Sequence, residues 1–261
     1  MAYTIAISNE KGGVAKTTTT MSLGAALAEA GNKVLLIDLD PQANLTLAAG
    51  LEIGEVTTSS SNILIESAPL LNALHHTEIE NVDIIPAHPN IESAEQYLPM
   101  RTNYTAIMRR AIEQTKPLPY DFIVLDCPPF LGAITQNALS AAKLLVIPTQ
   151  AEFFSAYALR NMMGIIRRVR QESNPDLAYR ILITMLDRRN RTHCNIEEQL
   201  KTTFGKGLFE TIIEIDTKLR ESPIAGLPIT QYKSSTRGSQ QYRNLAQELM
   251  EYVKEKDKQE A

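Results

Sequence analysis

The sequence predicts an α/β fold in a single domain, with a mostly parallel twisted sheet flanked by helices on both faces. Short apolar runs alternate along the chain with segments of helical periodicity, as in strand–helix–strand units. The runs are continuously apolar, which is typical of strands buried on both faces. The first run also leads directly into a glycine-rich turn that opens a helix.

The predicted elements follow in chain order. Residues 3–8 form the first strand, and residues 17–30 form a helix that stops at Gly31. Further strands are expected at residues 33–38, 82–86, 122–126, 144–148 and 181–185, and further helices at 103–115, 133–142, 154–171 and 194–203. The polar cluster at 57–62 (TTSSSN) is expected to be a surface loop.

The end of the chain carries a helical pattern followed by charge. Residues 240–253 place Tyr242, Leu245, Leu249 and Val253 three or four positions apart, which predicts an amphipathic helix packed on the domain. No glycine- or proline-rich linker divides the chain. We therefore predict one domain over residues 1–261, with a polar tail at 254–261.

The composition is that of a folded soluble protein, with 44% hydrophobic and 21% charged residues. Cys127 and Cys194 fit no metal-binding pattern and agree with a reducing cytoplasm. No apolar run approaches the roughly 18 residues of a membrane span, and the N-terminus lacks the regions of a signal peptide. These features exclude a disordered chain, a disulfide scaffold and a membrane-spanning protein, and we expect a cytoplasmic location.

The net charge of −4 would by itself argue against a nucleic-acid binder. The charge is unevenly distributed, because residues 160–243 hold 15 Lys and Arg against 9 Asp and Glu, whereas residues 1–159 hold 8 against 16. A locally basic segment binds an anionic partner whatever the total charge. The alternative is a solvated face without a partner.

The strongest functional signal is residues 11–18 (KGGVAKTT), between the first strand and the first helix. Backbone N–H groups and a helix N-terminus form an anion cavity there, and Gly12 and Gly13 let the backbone approach phosphates. Lys16 is expected to pair with the β- and γ-phosphates, and the Thr17 hydroxyl to ligate Mg²⁺. The candidate phosphate-binding residues are Lys11, Gly12, Gly13, Val14, Ala15, Lys16, Thr17 and Thr18. The generic pattern G-x-x-x-x-G-K-[ST] fails, since Glu10 and Ala15 occupy its glycine positions.

Two predicted strands end in carboxylates. Asp38 and Asp40 stand at the end of the second strand, where open parallel sheets bind ligands. Asp126 ends the run FIVLD, and an apolar strand ending in aspartate is the form of a Walker B carboxylate, which supports magnesium. Any one of these acids alone is an ordinary strand end. Together with the loop, in this order, they predict a P-loop NTPase.

Four segments resemble the ParA/Soj branch of the deviant-Walker ATPases, which includes MinD: KGGVAKTT at 11–18, DLDPQAN at 38–44, DCPP at 126–129 and TQAEFF at 149–154. The resemblance extends to residues 184–187 and 221–226 and covers nearly the whole chain. The family usually has glycine where Ala15 stands. The methyl group of Ala15 removes no phosphate donor, because alanine keeps its backbone N–H.

The resemblance implies ATP and Mg²⁺ as cofactors and an ATP-bound sandwich homodimer. Lys11 would cross to the partner's phosphates, acting with Lys16 and Asp40 as the catalytic residues. Asp40 matches the residue that orients the attacking water, and Asp126 would hold a magnesium-bound water. Asp38 would support either the magnesium or the switch loop.

For the rest of the nucleotide, the resemblance implies contacts by three more residues. Thr18 would reach the α-phosphate. The adenine is expected against the segments 184–187 and 213–223, with Met185 and Pro223 as the candidate contacts.

The implied function is an ATPase with a slow basal rate that binds nucleoid DNA non-specifically as an ATP dimer. A ParB-like or cargo-adaptor protein would stimulate hydrolysis and so release the ATPase from DNA. Repeated binding and release would position a chromosome, plasmid or other cargo. We expect a cytoplasmic, nucleoid-associated protein without a membrane partner. The candidate DNA-binding residues are Arg188, Arg189, Arg191, Lys206, Lys218, Arg220 and Arg237.

Two other functions stay open. A MinD-like membrane-associated regulator of cell division would end in a basic amphipathic helix with an apolar face. Here the last eight residues combine three Lys with three acids and no bulky apolar side chain. A cluster-assembly or reductase ATPase would need bridging cysteines, and Cys127 and Cys194 fit no such pattern.

Overall fold

The structure is a computed structural model that describes residues 2–115 and 117–260, the last two by backbone alone. The described residues form seven strands: β1 (Tyr3–Ile7), β2 (Val34–Asp38), β3 (His75–His76), β4 (Val82–Ile85), β5 (Phe122–Asp126), β6 (Leu144–Gln150) and β7 (Ala178–Thr184). They make one sheet in the order β3-β4-β2-β5-β1-β6-β7. Every neighbouring pair is parallel except β3 with β4. The predicted α/β fold is confirmed.

The helices connect these strands and cover both faces of the sheet. The described residues form α1 (Lys16–Glu29), α2 (Asn44–Ala48), α3 (Ala94–Tyr97), α4 (Ile107–Gln114), α5 (Ala133–Ala141), α6 (Ser155–Glu172), α7 (Arg191–Phe204), α8 (Lys218–Glu221), α9 (Ile229–Tyr232) and α10 (Arg237–Glu260). The longer helices lie where helical spacing predicts them. The predicted helix 103–115 begins instead as a 3₁₀ turn at Tyr104–Ala106 before α4.

Alternate residues of each central strand enter two separate cores, as the strand geometry requires. On one face, Leu36 and Val124 pack with residues of α1 and α10. On the other face, Leu35 and Ile123 pack with residues of α4, α5 and α6. All five residues of β1, β2 and β5 are buried. This is why their sequences are mostly apolar, with Asp38 and Asp126 at the carboxyl ends of β2 and β5.

The sheet order brings the candidate functional segments together. β5 lies between β2 and β1, with Asp38 opposite Asp126 and Ile7 opposite Asp126 in the register. The loop after β1 and the carboxylates that end β2 and β5 therefore share the carboxyl edge of the sheet. The candidate functional site depends on this strand order.

The polar cluster at 57–62 is not the surface loop that its composition predicts. Ser59, Ser60 and Ser61 are buried. The Ser60 hydroxyl donates to the carbonyl oxygen of Asp38 (2.6 Å), and its backbone N–H donates to that of Pro86 (2.9 Å). The serine cluster is buried with its polar groups paired: Ser60 satisfies the carbonyl groups of Asp38 and Pro86 through its hydroxyl and its N–H, and the hydroxyls of Ser59 and Ser61 bond to each other (2.6 Å).

One strand was not predicted, and the ends of two other elements differ from the predictions. The short edge strand β3 lies in a region without strand periodicity. β7 begins at Ala178 and ends at Thr184, because Met185 adopts a left-handed conformation (φ 54°). The helix predicted at 240–253 is α10, which runs through the polar tail to Glu260. Ala261 of the predicted tail lies outside the described residues.

The apolar positions of α10 behave as their spacing predicts. Tyr242, Leu245 and Leu249 are fully buried, and the Tyr242 hydroxyl lies 3.1 Å from the hydroxyl of Thr19 on α1. No helix within residues 2–115 and 117–260 combines the length and apolarity needed to cross a membrane.

Replacement of Leu245 by alanine tests the packing of α10. Because Leu245 is fully buried, we expect Leu245→Ala to lower the free energy of unfolding by about 2–5 kcal/mol, measured by urea titration. The matched control is Leu71→Ala, since Leu71 is 48% exposed and should change the free energy by less than about 0.5 kcal/mol. Equal effects of the two variants would show that α10 does not pack on the sheet.

Candidate nucleotide-binding site

The loop between β1 and α1 has a backbone suited to an anion. Gly13 (φ 73°) and Ala15 (φ 67°) are left-handed, and a Cβ added at Gly12 or Gly13 would have no atom within 4 Å. The first helical hydrogen bond of α1 runs from the Thr19 N–H to the Ala15 carbonyl (2.9 Å). The N-terminus of α1 has no capping side chain and no acid in its first turn. Its free N–H groups are therefore available to phosphate oxygens.

Ala15 stands at the loop position where the family resemblance leads one to expect glycine, and its backbone is left-handed (φ 67°). The left-handed conformation is one that glycine adopts freely and alanine does not. The departure from the family's glycine thus falls on the residue that precedes α1. The loop keeps its shape with a strained alanine at this point.

Lys16 supplies a buried positive charge. Its side chain is only 7% exposed, and its ammonium donates to the carbonyl oxygen of Lys11 (3.3 Å). Burial lowers the pKa of Lys16, while Asp126 and Asp40 oppose this effect. Within the described part of the chain, no carboxylate forms an ion pair with it at 4.0 Å or less. A buried cation without an ion pair favours the binding of an anion, because the anion would compensate its charge.

Asp126 is the carboxylate with unused hydrogen-bonding capacity. Its Oδ1 accepts from the Thr20 hydroxyl (3.1 Å), whereas its buried Oδ2 has no partner among the described residues. Burial, and then the charge of Asp38, raise the pKa of Asp126 to about 8. The Thr17 side chain interacts with the same carboxyl group and favours its charged form. A carboxylate oxygen so placed fits a water held by a metal ion.

Asp38 is satisfied by its own chain. Its Oδ1 accepts from the backbone N–H of Asp40 (3.1 Å), and its Oδ2 accepts from the N–H (2.9 Å) and hydroxyl (2.7 Å) of Thr46. Burial raises the pKa of Asp38 to about 6, and the hydrogen bonds from Thr46 oppose the rise. One oxygen therefore holds the loop that follows β2, and the other holds α2. Of its two predicted roles, this geometry favours support of the switch loop over contact with a metal.

Asp40 lies on that supported loop. It is 7% exposed, and its Oδ1 accepts from the Gln42 N–H (3.0 Å). Its charge and that of Asp126 both act on Lys16, so the three predicted residues share one site. The structure thus brings Lys16, Asp40 and Asp126 together beneath the loop.

A cavity of about 300 Å³ continues from the loop toward β7 and α10. Its lining includes Ala15 and Thr18 of the loop region and the two residues predicted to contact adenine, Met185 and Pro223. Arg220, predicted to bind DNA, also lines this cavity. The four nucleotide candidates are therefore adjacent in space, although they are far apart in sequence.

The side chain of Lys11 reaches the carboxyl end of β6. Its ammonium contacts the side chain of Gln150, the last residue of β6, and that of Glu152 in the turn that follows. These two residues, together with Thr20 and Thr46, belong to the site but were not singled out by sequence reasoning. The segment TQAEFF, which carries part of the family resemblance, contains the signal for Gln150 and Glu152.

The predicted DNA-binding residues are more strongly paired with acids than their sequence suggests. Arg188 contacts Glu197 (2.6 Å) and Glu214 (3.2 Å), and Arg237 shares Glu214 (2.7 Å). The other ion pairs are Arg189 with Asp187 (3.0 Å) and Lys218 with Glu221 (2.6 Å). Arg191, Lys206 and Arg220 have no ion-pair partner among the described residues. The predicted set is therefore only partly free to meet phosphates.

The described residues contain no metal-binding cluster of three or more His, Cys, Asp or Glu side chains. Cys127 is buried, and burial raises the pKa of its thiol well above the usual range. This thiol is an inert core group.

Comparison with known proteins agrees with this site. A sequence model described as an AAA domain matches residues 2–179. The chain is 39% identical to the sporulation initiation inhibitor protein Soj of Bacillus subtilis, covering 95% of this chain and 98% of that protein. It is 36% identical to the chromosome partitioning protein ParA of Caulobacter vibrioides, covering 98% of this chain and 96% of that protein.

The fold comparison gives the same result. The crystal structure of cobyrinic acid a,c-diamide synthase from Mycobacterium smegmatis, with bound ADP and magnesium, matches with a TM-score of 0.83 and 31% identity, covering 97% of this chain and 96% of that chain. The sequence similarity, the sheet order and the loop after β1 lead to one assignment. This chain belongs to the Soj/ParA family of P-loop ATPases.

Proposed function

We propose that this protein is a partitioning ATPase that binds ATP and Mg²⁺, dimerises around the nucleotides, and holds DNA until a partner stimulates hydrolysis. The observation that carries the proposal is the buried Lys16, which has no carboxylate ion pair among the described residues and lies at the N-terminus of α1, where no side chain caps the helix. Relatives named for chromosome partitioning are 36–38% identical, above the 31% of the structure named as a diamide synthase. This difference supports partitioning over the synthase activity.

The chain's own groups fit a nucleotide polyphosphate with magnesium. The N-terminus of α1 would donate to the phosphates, and Lys16 would neutralise charge on the β- and γ-phosphates. The Thr17 hydroxyl would ligate Mg²⁺, and the unpartnered oxygen of Asp126 would accept from a water that the ion holds. When bound, the ion would withdraw charge from the phosphate oxygens.

Hydrolysis is proposed to depend on Asp40. One of its oxygens accepts from Gln42, and Asp38 fixes the backbone N–H of Asp40. A carboxylate held in this way would orient the attacking water and accept its proton. Thr46 would act through Asp38, since it holds Asp38 by two hydrogen bonds.

We propose that Lys11 completes the site of a second copy. Lys11 belongs to the phosphate loop, yet its ammonium contacts Gln150 and Glu152, whereas the ammonium of Lys16 bonds within the loop, to the Lys11 carbonyl. A cation that crosses to the partner's phosphates would stabilise the charge that develops during phosphoryl transfer. It would also make dimerisation depend on the γ-phosphate.

The proposed DNA surface includes Arg188, Arg189, Arg191, Lys206, Lys218, Arg220 and Arg237. Paired members such as Arg189 remain exposed, so a phosphate can replace the carboxylate at modest cost, since exposed pairs are weak. Dimerisation would double every contact, so ATP would raise the affinity for DNA. Arg220 would take part at the rim of the base cavity.

The proposed location is the cytoplasm, on the nucleoid, with a ParB-like or cargo-adaptor protein as the partner. The alternative is a MinD-like protein on a membrane surface. The end of α10 argues against that alternative, because residues 254–258 are exposed and alternate Lys with acids. An interfacial helix needs a wide apolar face.

Replacement of Asp40 tests the hydrolytic mechanism. We expect Asp40→Ala to bind ATP and dimerise but to hydrolyse at least about 100-fold more slowly, because the water loses its orienting carboxylate. Phosphate release and size-exclusion chromatography measure the two properties. The matched control is Asp176→Ala, since Asp176 is exposed on a loop outside the site. Unchanged turnover in Asp40→Ala would remove this residue from the mechanism.

Charge reversal tests the DNA surface. Arg189→Glu with Lys218→Glu should abolish ATP-dependent DNA binding while ATP-dependent dimerisation persists, because two cations that would contact phosphates become anions that repel them. Lys33→Glu with Lys143→Glu makes the same change in net charge at the amino-terminal edge of the sheet and should leave DNA binding largely intact. Filter binding across a salt series measures both, with a slope near −0.9 per neutralised phosphate for wild type.

The reciprocal change sharpens this test. Asp187→Asn with Glu221→Gln frees the same two cations and should tighten DNA binding. Loss of binding in the lysine control pair to the same extent, or no change in Arg189→Glu with Lys218→Glu, would place the surface elsewhere.

A further inference from the structure

The side chain of Lys11 is held by its own chain. Its ammonium donates to the side-chain carbonyl oxygen of Gln150 (3.1 Å) and forms an ion pair with the Glu152 carboxylate (2.5 Å). Gln150 ends β6, and Glu152 lies in the turn that follows. We call these two side chains the resting site of Lys11.

The backbone of Lys11 is fixed independently of this resting site. Its N–H donates to the side-chain oxygen of Asn9 (3.0 Å), and its carbonyl accepts from Lys16 (3.3 Å). Asn9 is itself anchored by a hydrogen bond to the carbonyl of Pro148 (2.7 Å). The Lys11 side chain can therefore leave Gln150 and Glu152 without a rearrangement of the loop.

Gln150 connects the resting site with the nucleotide site. Its amide nitrogen donates to the carbonyl of Gly13 in the phosphate loop (3.1 Å) and lies 2.9 Å from the sulfur of Met185. Met185 lines the cavity proposed for the base. One amide thus contacts Lys11, the phosphate loop and the base cavity.

We propose that Glu152 is a positioning residue that restrains Lys11, and that ATP-dependent dimerisation requires its release from Glu152 and Gln150. This inference rests on the proposed function, because it assumes that Lys11 crosses to the partner's phosphates. The Glu152 carboxylate competes with a phosphate for the same ammonium. Only an anion stronger than this carboxylate, as a γ-phosphate is by its charge, draws Lys11 across. The competition opposes dimerisation when the γ-phosphate is missing.

The size of the effect follows from the exposure of the pair. The side chains of Lys11 and Glu152 are 28% and 46% exposed, and exposed ion pairs change an equilibrium constant by about 1.4- to 5-fold. A symmetric dimer releases two such pairs. Loss of the Glu152 charge should therefore lower the dimer Kd by about 2- to 30-fold at low salt, and high salt should shrink the difference.

Glu152→Gln tests the restraint. Sedimentation velocity over a dilution series, with a non-hydrolysable ATP analogue and Mg²⁺, gives the dimer Kd. We expect tighter dimerisation of Glu152→Gln and an unchanged nucleotide affinity of the monomer, which a merely structural defect would alter. The matched control is Glu10→Gln, because Glu10 is the neighbour of Lys11 and hydrogen-bonds to Asn161 instead. It should shift the Kd less than twofold. Glu152→Asp, which keeps the charge, should restore part of the restraint.

Two results would overturn the inference: a dimer Kd of Glu152→Gln that equals or exceeds that of wild type, or an equal tightening in Glu10→Gln. A third comparison tests whether Glu152 acts through Lys11. Lys11→Ala and Lys11→Ala with Glu152→Gln should both fail to dimerise, and a dimer of the double variant would show simple charge repulsion by Glu152. Failure of wild type to dimerise with the analogue is a different result, since it would refute the proposed function itself.

Discussion

The site depends on one constraint: the Lys16 ammonium is buried, and no carboxylate in the described part of the chain forms an ion pair with it. Its hydrogen bond goes to a carbonyl oxygen of the phosphate loop, while Asp40 and Asp126 act on it only from a distance. The order β2-β5-β1 creates this situation, because it ends three buried strands at one place. The fold thus concentrates positive and negative charge in a region shielded from water. A polyphosphate with a metal ion is the ligand that would complete such a charge pattern.

The acids at this edge divide into different roles according to their hydrogen bonds. Both oxygens of Asp38 accept hydrogen bonds, from the loop after β2 and from Thr46 of α2, whereas Asp126 keeps one oxygen without a partner among the described residues. The supporting layer behind Asp38 extends to Ser60 and to Thr46, whose hydroxyl accepts from the Ala87 N–H (2.9 Å). A water-orienting role for Asp40 would therefore depend on segments that hold its loop in place and that the sequence alone does not connect with the nucleotide. Lys11 depends on supporting contacts in a similar way: its proposed contact with a second copy would depend on the contacts that it makes within its own chain.

The sequence predicted the central strands and the glycine-rich loop between β1 and α1 well, because continuous apolar runs and a glycine-rich turn are local signals. It failed for Ser59, Ser60 and Ser61, because the Ser60 hydroxyl bonds to a carbonyl group distant in sequence, that of Asp38, and the other two hydroxyls bond to each other. The short β3 was missed because two residues carry no periodicity. The ion pairs of Arg188 and Arg237 with Glu214 could not be read from charge counts, since tertiary structure decides which acid meets which base. The same holds for the resting site of Lys11, whose members are 139 and 141 positions away.

The most direct test of the account is the stability of Lys16→Met with and without ATP and Mg²⁺, measured by urea unfolding. Methionine has a similar length without the charge, so removing a buried cation that lacks an ion pair should raise the free energy of unfolding of the nucleotide-free protein by about 1–3 kcal/mol. ATP and Mg²⁺ should stabilise wild type through binding to the folded state and should no longer stabilise the variant. A variant that is less stable than wild type without nucleotide, or that gains as much from ATP and Mg²⁺, would contradict the claim that Lys16 is buried in readiness for a phosphate.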